Sequence, residues 1–429
     1  MQLPEDFVSS TRLLFGEERF ECFLKALDEE PPVSIRLNEM KSGEWRVESG
    51  ERLNPVPWCS SGYYLPSRPN FTFDPLLHAG CYYVQEASSM FVDHVLRQYV
   101  HSPVLMLDLC AAPGGKSTAA RSALPEGSVL VSNEPVRLRS QILAENIVKW
   151  GWDNCIVTNN YPRDFRKAKA RFDVILCDVP CSGEGMFRKD AQAVTEWSPQ
   201  NVERCWQLQR EIVADAWQCL AEGGLMIYST CTYNVKEDEQ NVQWMMDELG
   251  AVPLSVPTNP DWNITGSLLE SFDAPVYRFI PGYTLGEGLF MAVLRKPGNE
   301  ALRNQPSRSQ LLSKTMAQLA VLHPLQKEPN KKGRESYLQH AEALSVSLDT
   351  SKYPLAPLDY HTAICYLRGE AIVLAPDVPR GYVIVTFLGR PLGFVKNLCS
   401  RANNLYPKEW RIKSTHIPQE YNETIFRLA

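Results

Sequence analysis

Two cysteines stand where a thiol can do chemistry. Cys181 follows the apolar run FDVILCD within DVPCSGEGMFRKD, and Cys231 follows LMIYST within STCTYN. An apolar strand that ends in a polar turn leaves such a cysteine partly exposed at the strand tip, where local dipoles and charges lower its pKa. Alone, either one reads as a buried structural thiol. Two at the same edge, with Cys181 three residues after Asp178, favour nucleophilic catalysis instead.

The elements that must position them follow a regular pattern. Strand-like runs at 104–109, 128–132, 155–158, 172–177 and 224–230 alternate with helix-like segments at 116–124, 136–150, 199–221 and 236–249. Such alternation predicts βαβ units and a mostly parallel sheet with helices on both faces, and ligands bind at the carboxyl ends of such strands. The first strand runs into LMLDLCAAPGGKS, where Cys110, Ala111, Ala112, Pro113, Gly114, Gly115 and Lys116 form a small-residue turn into a helix. Small side chains admit a ligand close to the backbone, and the helix offers its partly positive N-terminus. Glu134, at the tip of the second strand, stands where an acidic side chain accepts hydrogen bonds from ribose hydroxyls. Residues 275–296 read as an antiparallel hairpin that closes the sheet.

The flanks read as smaller units. Residues 1–76 form a small α/β lead-in with a helix over Glu17–Glu29, and Arg36 and Asn38 share one face of a short alternating run. Both are candidates for phosphate contact, set against plain solvent exposure. YYVQEASSMFVDHVL predicts an amphipathic helix with Val92, Val95 and Leu96 inward. The core is expected over 77–296, a polar linker with a helix from Gln310 to Val321 over 297–335, and a β-rich module over 336–429. KEPNKKGR falls in that linker, and EAIVLAP, GYVIVTFLG and RPLGFVKN are the module's expected strands.

A chain of 429 residues with 44% hydrophobic content supports two to four domains. No run approaches a membrane span, and MQLPEDFVSS lacks the halves of a signal peptide, so a soluble cytoplasmic protein is expected. Twelve cysteines without a CxxC pair argue for reduced thiols and no metal. The net charge of −6 conceals an asymmetry: residues 301–429 carry 17 Lys and Arg against 10 Asp and Glu, or +7, leaving −13 for the rest. That basic end suits a polyanion. Lys396, Arg401, Lys408 and Arg411 are its candidate RNA contacts, with Tyr382, Phe387, Phe394, Tyr406 and Trp410 interleaved as base-stacking or core residues.

One reaction uses all these groups. Cytosine carbon 5 is a poor nucleophile until a thiolate adds to carbon 6 and makes it enamine-like. It can then take a methyl group from a sulfonium. A carboxyl near ring nitrogen 3, the role suited to Asp178, stabilises the developing charge. A second thiol can assist the elimination that follows.

The motifs YVQEASS, IRLN, CAAPGGK, NE, DVPCSGEGMF and STCTYNVKEDE together resemble the Nop/Sun family of RNA 5-methylcytosine methyltransferases. The C-terminal extension resembles the bacterial RsmF-type members, which act on small-subunit ribosomal RNA. The resemblance covers nearly the whole chain. It implies a Rossmann-like class I methyltransferase core with S-adenosylmethionine held by Cys110–Lys116, Glu134 and Asp178. It implies Cys231 as nucleophile and Cys181 as the residue that helps release product. A PUA-like RNA-binding module at the C-terminus, an RNA-binding lead-in at the N-terminus and a ribosomal RNA partner, free or within the small subunit, are also implied, and a monomer is expected. Two departures are visible. Asn160 or Tyr161 stands where many members carry an acidic residue after the third strand, and Pro281 and Gly282 where a His often precedes the final hairpin.

Three rivals fare worse. A phosphate-binding loop ending at Gly115, Lys116 and Ser117 would need a Gly at Cys110 and is spoiled by Pro113. A DNA cytosine methyltransferase would use the Pro-Cys turn as nucleophile and lack the Thr-Cys-Thr turn of Cys231. A catalytically silent RNA-binding assembly factor is disfavoured because every expected catalytic side chain is present, while a transfer RNA substrate remains the alternative within the same chemistry.

Overall fold

The computed structural model describes residues 2–42, 54–298, 308–323, 330–332, 335–337, 339–414, 417–418 and 420. Strands β1 (Val33–Leu37), β2 (Asn54–Pro55), β3 (Gly62–Leu65) and β4 (Tyr82–Val84) make an antiparallel N-terminal sheet in the order β2-β3-β1-β4. β4, expected in the methyltransferase core, pairs with β1 instead, Leu37 against Tyr82.

The central sheet contains β5 (Leu105–Asp108), β6 (Val129–Asn133), β7 (Cys155–Thr158), β8 (Phe172–Asp178), β9 (Leu220–Thr230), β10 (Val252–Pro253), β11 (Tyr277–Phe279), β12 (Leu289–Arg295) and β13 (Val321–His323). Its order is β10-β12-β9-β8-β5-β6-β7-β13, with β11 on β12. β5 to β9 are parallel, and β12 returns antiparallel to β9. The strand order reverses between β5 and β8, so a crevice opens at their carboxyl ends. The β5–β9 strands are continuous apolar runs because both faces are covered. One face packs Ala119, Ala120, Leu143 and Ile147; the other packs Ile212, Val213, Trp217 and Met245.

Three differences from the sequence expectations have physical causes. The helix Glu5–Phe15 was not anticipated; Phe7 and Phe15 bury against Phe187, Trp197 and Tyr233, so packing overrides the poor helix propensity of its Ser-Ser-Thr. The expected linker supplies β13, paired antiparallel to β7, so the central sheet draws a strand from beyond residue 296. Its helix spans Arg308–Met316 rather than 310–321. Most of KEPNKKGR lies outside the described residues; 330–332 form β14 (Asn330–Lys332), which pairs β15 (Glu335–Tyr337).

The C-terminal sheet runs β16 (Leu355–Pro357), β17 (Gly381–Phe387), β18 (Arg390–Asn397), β19 (Ala402–Asn404). Of the EAIVLAP segment, only an isolated bridge from Ile372 to Ala402 forms. β16, parallel to β17, and the helix Tyr360–Leu367 were not anticipated. This module does not stand apart, because Ile35, Phe73, Leu76 and Tyr82 of the N-terminal unit share one apolar cluster with Ile364, Leu367, Val383 and Tyr406. Among the described residues, no helix is long and apolar enough to cross a membrane.

Candidate active site

The turn after β5 forms the floor of a cleft of about 180 Å³, lined by Asp108, Cys110–Pro113, Gly115, Lys116 and Asp178, with Gln85, Glu86 and Ser89 opposite. Gly114 has φ +116°, a left-handed conformation that favours glycine, and starts the helix Gly115–Ala123. Lys116 Nζ donates to Asp178 Oδ2 at 2.9 Å, and Ser229 Oγ donates to Asp178 Oδ1 at 2.7 Å. Burial opposes the charged form of Lys116, but the ion pair with Asp178 outweighs it and raises the lysine pKa. Asp108 is fully buried; desolvation lifts its carboxyl to about 7, against the hydrogen bond from Ser117 Oγ at 2.6 Å. Asp108 Oδ1 is buried without a partner, an acceptor that suits a ligand rich in hydrogen-bond donors.

The tips of β8 and β9 bring the two cysteines together. Cys181 Sγ lies 3.1 Å from Cys231 Sγ, both thiols are free, and the Cys231 N–H donates to Cys181 Sγ at 3.3 Å. The hydrogen bond to Cys231 and then burial raise the Cys181 pKa well above its ordinary value. Two buried carboxylates, not singled out from sequence, hold the loops. Glu184, from the Cys181 loop, accepts the N–H groups of Tyr233 and Asn234 at 2.7 and 3.0 Å. Glu237, from the Cys231 loop, accepts the Ser182 N–H at 3.0 Å and the Asn234 amide at 2.8 Å. Both lie in quoted motifs, but a carboxylate that binds backbone across two loops leaves no spacing signature.

Comparison with known proteins fits this geometry. Residues 99–295 match the model for 16S rRNA methyltransferase RsmB/F, residues 3–87 the N-terminal domain of 16S rRNA methyltransferase RsmF, and residues 354–412 the methyltransferase RsmF PUA domain. The chain belongs to the RsmB/F family of methyltransferases. It is 28% identical to the ribosomal RNA small subunit methyltransferase F of Serratia proteamaculans, over 95% of this chain and 96% of that protein. The protein of the same name from Klebsiella pneumoniae is 29% identical over the same shares. A methyltransferase homolog from Pyrococcus horikoshii superposes with a TM-score of 0.58 at 24% identity, covering 68% of this chain and 95% of that one. NSun6 from the same organism gives 0.58 at 20%, covering 69% and 99%. These two structures speak for the fold alone.

As an RsmB/F family member, the chain is an RNA methyltransferase that uses S-adenosylmethionine. The residues present fit that cofactor: a glycine turn, a lysine and helix N-terminus for a carboxylate, and the orphaned acceptor of Asp108. Glu134 is buried at the tip of β6; its Oε1 accepts the Val136 N–H at 2.9 Å and its Oε2 lies 3.6 Å from Arg139. At the third-strand departure, Asn160 Nδ2 donates to Ala320 O at 3.1 Å and its Oδ1 accepts the Ala320 N–H at 3.0 Å. That side chain serves the strap leading into β13, while Tyr161 is exposed. At the second departure, a side chain on Gly282 would meet Cys22 O at 2.7 Å, so this loop needs glycine to seat against the helix Glu17–Leu27.

The expected RNA contacts divide. Lys396 is half-buried with its Nζ 5.6 Å from the Tyr382 ring centroid, and Arg401 and Lys408 are exposed. Arg411 is half-buried and packs on Gly369, with its Nε buried. Phe387, Phe394 and Tyr406 are core residues. Arg36 and Asn38 are corrections: both are 0% exposed. Asn38 Nδ2 donates to Gly80 O and Trp150 O at 2.9 and 2.8 Å, and neither residue reaches a phosphate at the surface. Alternation along β1 predicted two opposed faces, but the strand is covered on both.

Proposed function

We propose that this chain methylates carbon 5 of a cytosine in small-subunit ribosomal RNA, in the cytoplasm, through a covalent adduct at Cys231. The observation that carries this reading is the 3.1 Å sulfur pair at the tips of β8 and β9, on the same sheet edge where Asp178 ends β8. The family and the names of its relatives favour ribosomal RNA over transfer RNA.

S-adenosylmethionine, when bound, supplies an electrophilic methyl group. The chain's own residues do the rest. The Cys231 thiolate forms a bond to cytosine carbon 6, and the electron pair of the 5,6 double bond shifts toward carbon 5 and the ring. Asp178, held by Lys116 and Ser229, is the carboxyl offered to ring nitrogen 3; in its protonated form it donates there as negative charge moves onto the ring, and it takes the proton back when the double bond re-forms. Once carbon 5 is methylated, solvent water takes the carbon 5 proton, the C–H electron pair re-forms the 5,6 double bond, and the carbon 6–sulfur bond breaks to expel Cys231. Cys181, whose Sγ lies 3.1 Å from Cys231 Sγ, assists that release by passing its thiol proton to the departing sulfur.

The test compares wild type, Cys231→Ala and Cys181→Ala with labelled S-adenosylmethionine and small-subunit RNA, naked or assembled. Methyl transfer by wild type, none by Cys231→Ala and a trapped protein–RNA adduct with Cys181→Ala are expected. Activity retained by Cys231→Ala would overturn the nucleophile, and transfer to transfer RNA alone would overturn the substrate.

A further inference from the structure

We infer that Arg36 is a positioning residue for the cofactor cleft, acting through Gln85 and Gly114. This rests on S-adenosylmethionine as cofactor but not on which RNA is modified.

Arg36 is a buried cation on β1 with no carboxylate partner among the described residues. Its Nε donates to Gln85 Oε1 at 2.8 Å and its Nη2 to Thr118 Oγ1 at 2.6 Å. Its guanidinium lies 4.4 Å from the Trp150 ring centroid, and Nη1 is buried without a partner. A charge so placed is costly, and packing alone would be served by an apolar side chain. What the guanidinium adds is a planar fork with two directed arms.

One arm sets the wall of the cleft. Gln85 is 5% exposed, its N–H donates to Ser34 O, and its carbonyl accepts from Ser34 Oγ at 2.6 Å, so β1 fixes its backbone. With Oε1 committed to Arg36, the amide orientation is decided, and Nε2 donates to Ser89 Oγ at 3.1 Å as the donor end among the cleft-lining groups. The Gln85 amide carbon lies 3.6 Å from where a Cβ on Gly115 would sit, in packing contact with the cofactor helix. The other arm sets the turn: Thr118 Oγ1, which accepts from Arg36, donates to Gly114 O at 2.8 Å. One side chain thus fixes both sides of the cleft relative to each other, and the N-terminal sheet serves the cofactor through it.

The test titrates S-adenosylhomocysteine into full-length wild type, Arg36→Lys, Arg36→Met and Gln85→Ala by calorimetry without RNA, with RNA affinity and Tm measured in parallel. Arg36→Lys, whose point charge cannot span both acceptors, is expected to weaken the analogue roughly tenfold, and Gln85→Ala similarly. RNA affinity should stay within about twofold, and Arg36→Met combined with Gln85→Ala should be no weaker than the worse single variant. Analogue affinity within twofold of wild type for folded Arg36→Lys or for Gln85→Ala would overturn the inference. So would a loss of RNA affinity with the cofactor unaffected, which would return Arg36 to nucleic-acid contact. If wild type fails to bind the analogue, the cofactor assignment falls instead.

Discussion

At the scale of single residues, burial sets the protonation of the site. Asp108, lifted to about 7 by desolvation, holds a proton in the folded chain at pH values where the unfolded chain has lost it. Stability therefore falls as pH rises from near the ordinary carboxylate pKa to about 7, and is level above. Asp108→Asn should gain on wild type over that window, by at most roughly 4 kcal/mol, and lose its advantage near pH 4. Parallel Tm scans check this; equal slopes for both proteins would remove Asp108 as the source. In the cysteine pair, the contact with Cys231 and burial hold the Cys181 thiol well above its ordinary pKa, which makes Cys181 the less reactive sulfur. Limited alkylation with iodoacetamide, mapped by mass spectrometry, should label Cys231 before Cys181.

At the scale of elements, the two cysteine loops form one unit because Glu184 and Glu237 each grip the opposite loop's backbone. Gly185 lies between them: a Cβ there would meet Gly288 O at 2.8 Å and Cys231 O at 2.9 Å. Both neighbours are backbone and cannot step aside. Gly185→Ala should spread the loops, costing roughly 1–3 kcal/mol of stability and on the order of a hundredfold in kcat. Denaturant melts and single-turnover methylation measure the two losses. The strap at Ala320 is a second such element, since Asn160 satisfies both the N–H and the carbonyl of that residue. Asn160→Ala should raise hydrogen exchange over 317–323 and cost about 1–2 kcal/mol, with unchanged exchange showing that β13 holds without it.

At the scale of the whole molecule, the two terminal units brace each other across one core. His78 stands at that junction, its Nε2 2.9 Å from Thr72 O and its Nδ1 3.2 Å from the Tyr406 hydroxyl. His340 packs edge-on against Tyr406 and Trp410. Burial, and then nearby Lys149, lowers both histidines to about 3. Each is neutral when folded, so its contribution is complete above the ordinary histidine pKa and is lost progressively as pH falls toward 3. Acidification should therefore loosen the C-terminal module before the central sheet melts. Limited proteolysis across pH 7 to 4 should cut first around 339–414, and His78→Gln should flatten that dependence.

Much of this was legible along the chain because local pattern and covalent order carry it. Apolar runs and turn residues marked β5 to β9 and four of the helices around them to within a few residues, while the short helix Pro162–Lys167 was not anticipated, and cysteines at two strand tips marked the pair that the fold brings together. Motif spacing also placed Gly114, Lys116 and Asp178 at one edge, since parallel strands must end together. Tertiary structure alone decided which groups lost their water. Arg36 and Asn38 read as surface contacts until both faces of β1 were covered. Glu184 and Glu237 became clasps, and Phe7 and Phe15 a brace behind the cysteine loops, only when distant segments met. The merger of the two terminal units has the same origin: alternation shows that a face is apolar, but its partner is chosen by three-dimensional packing.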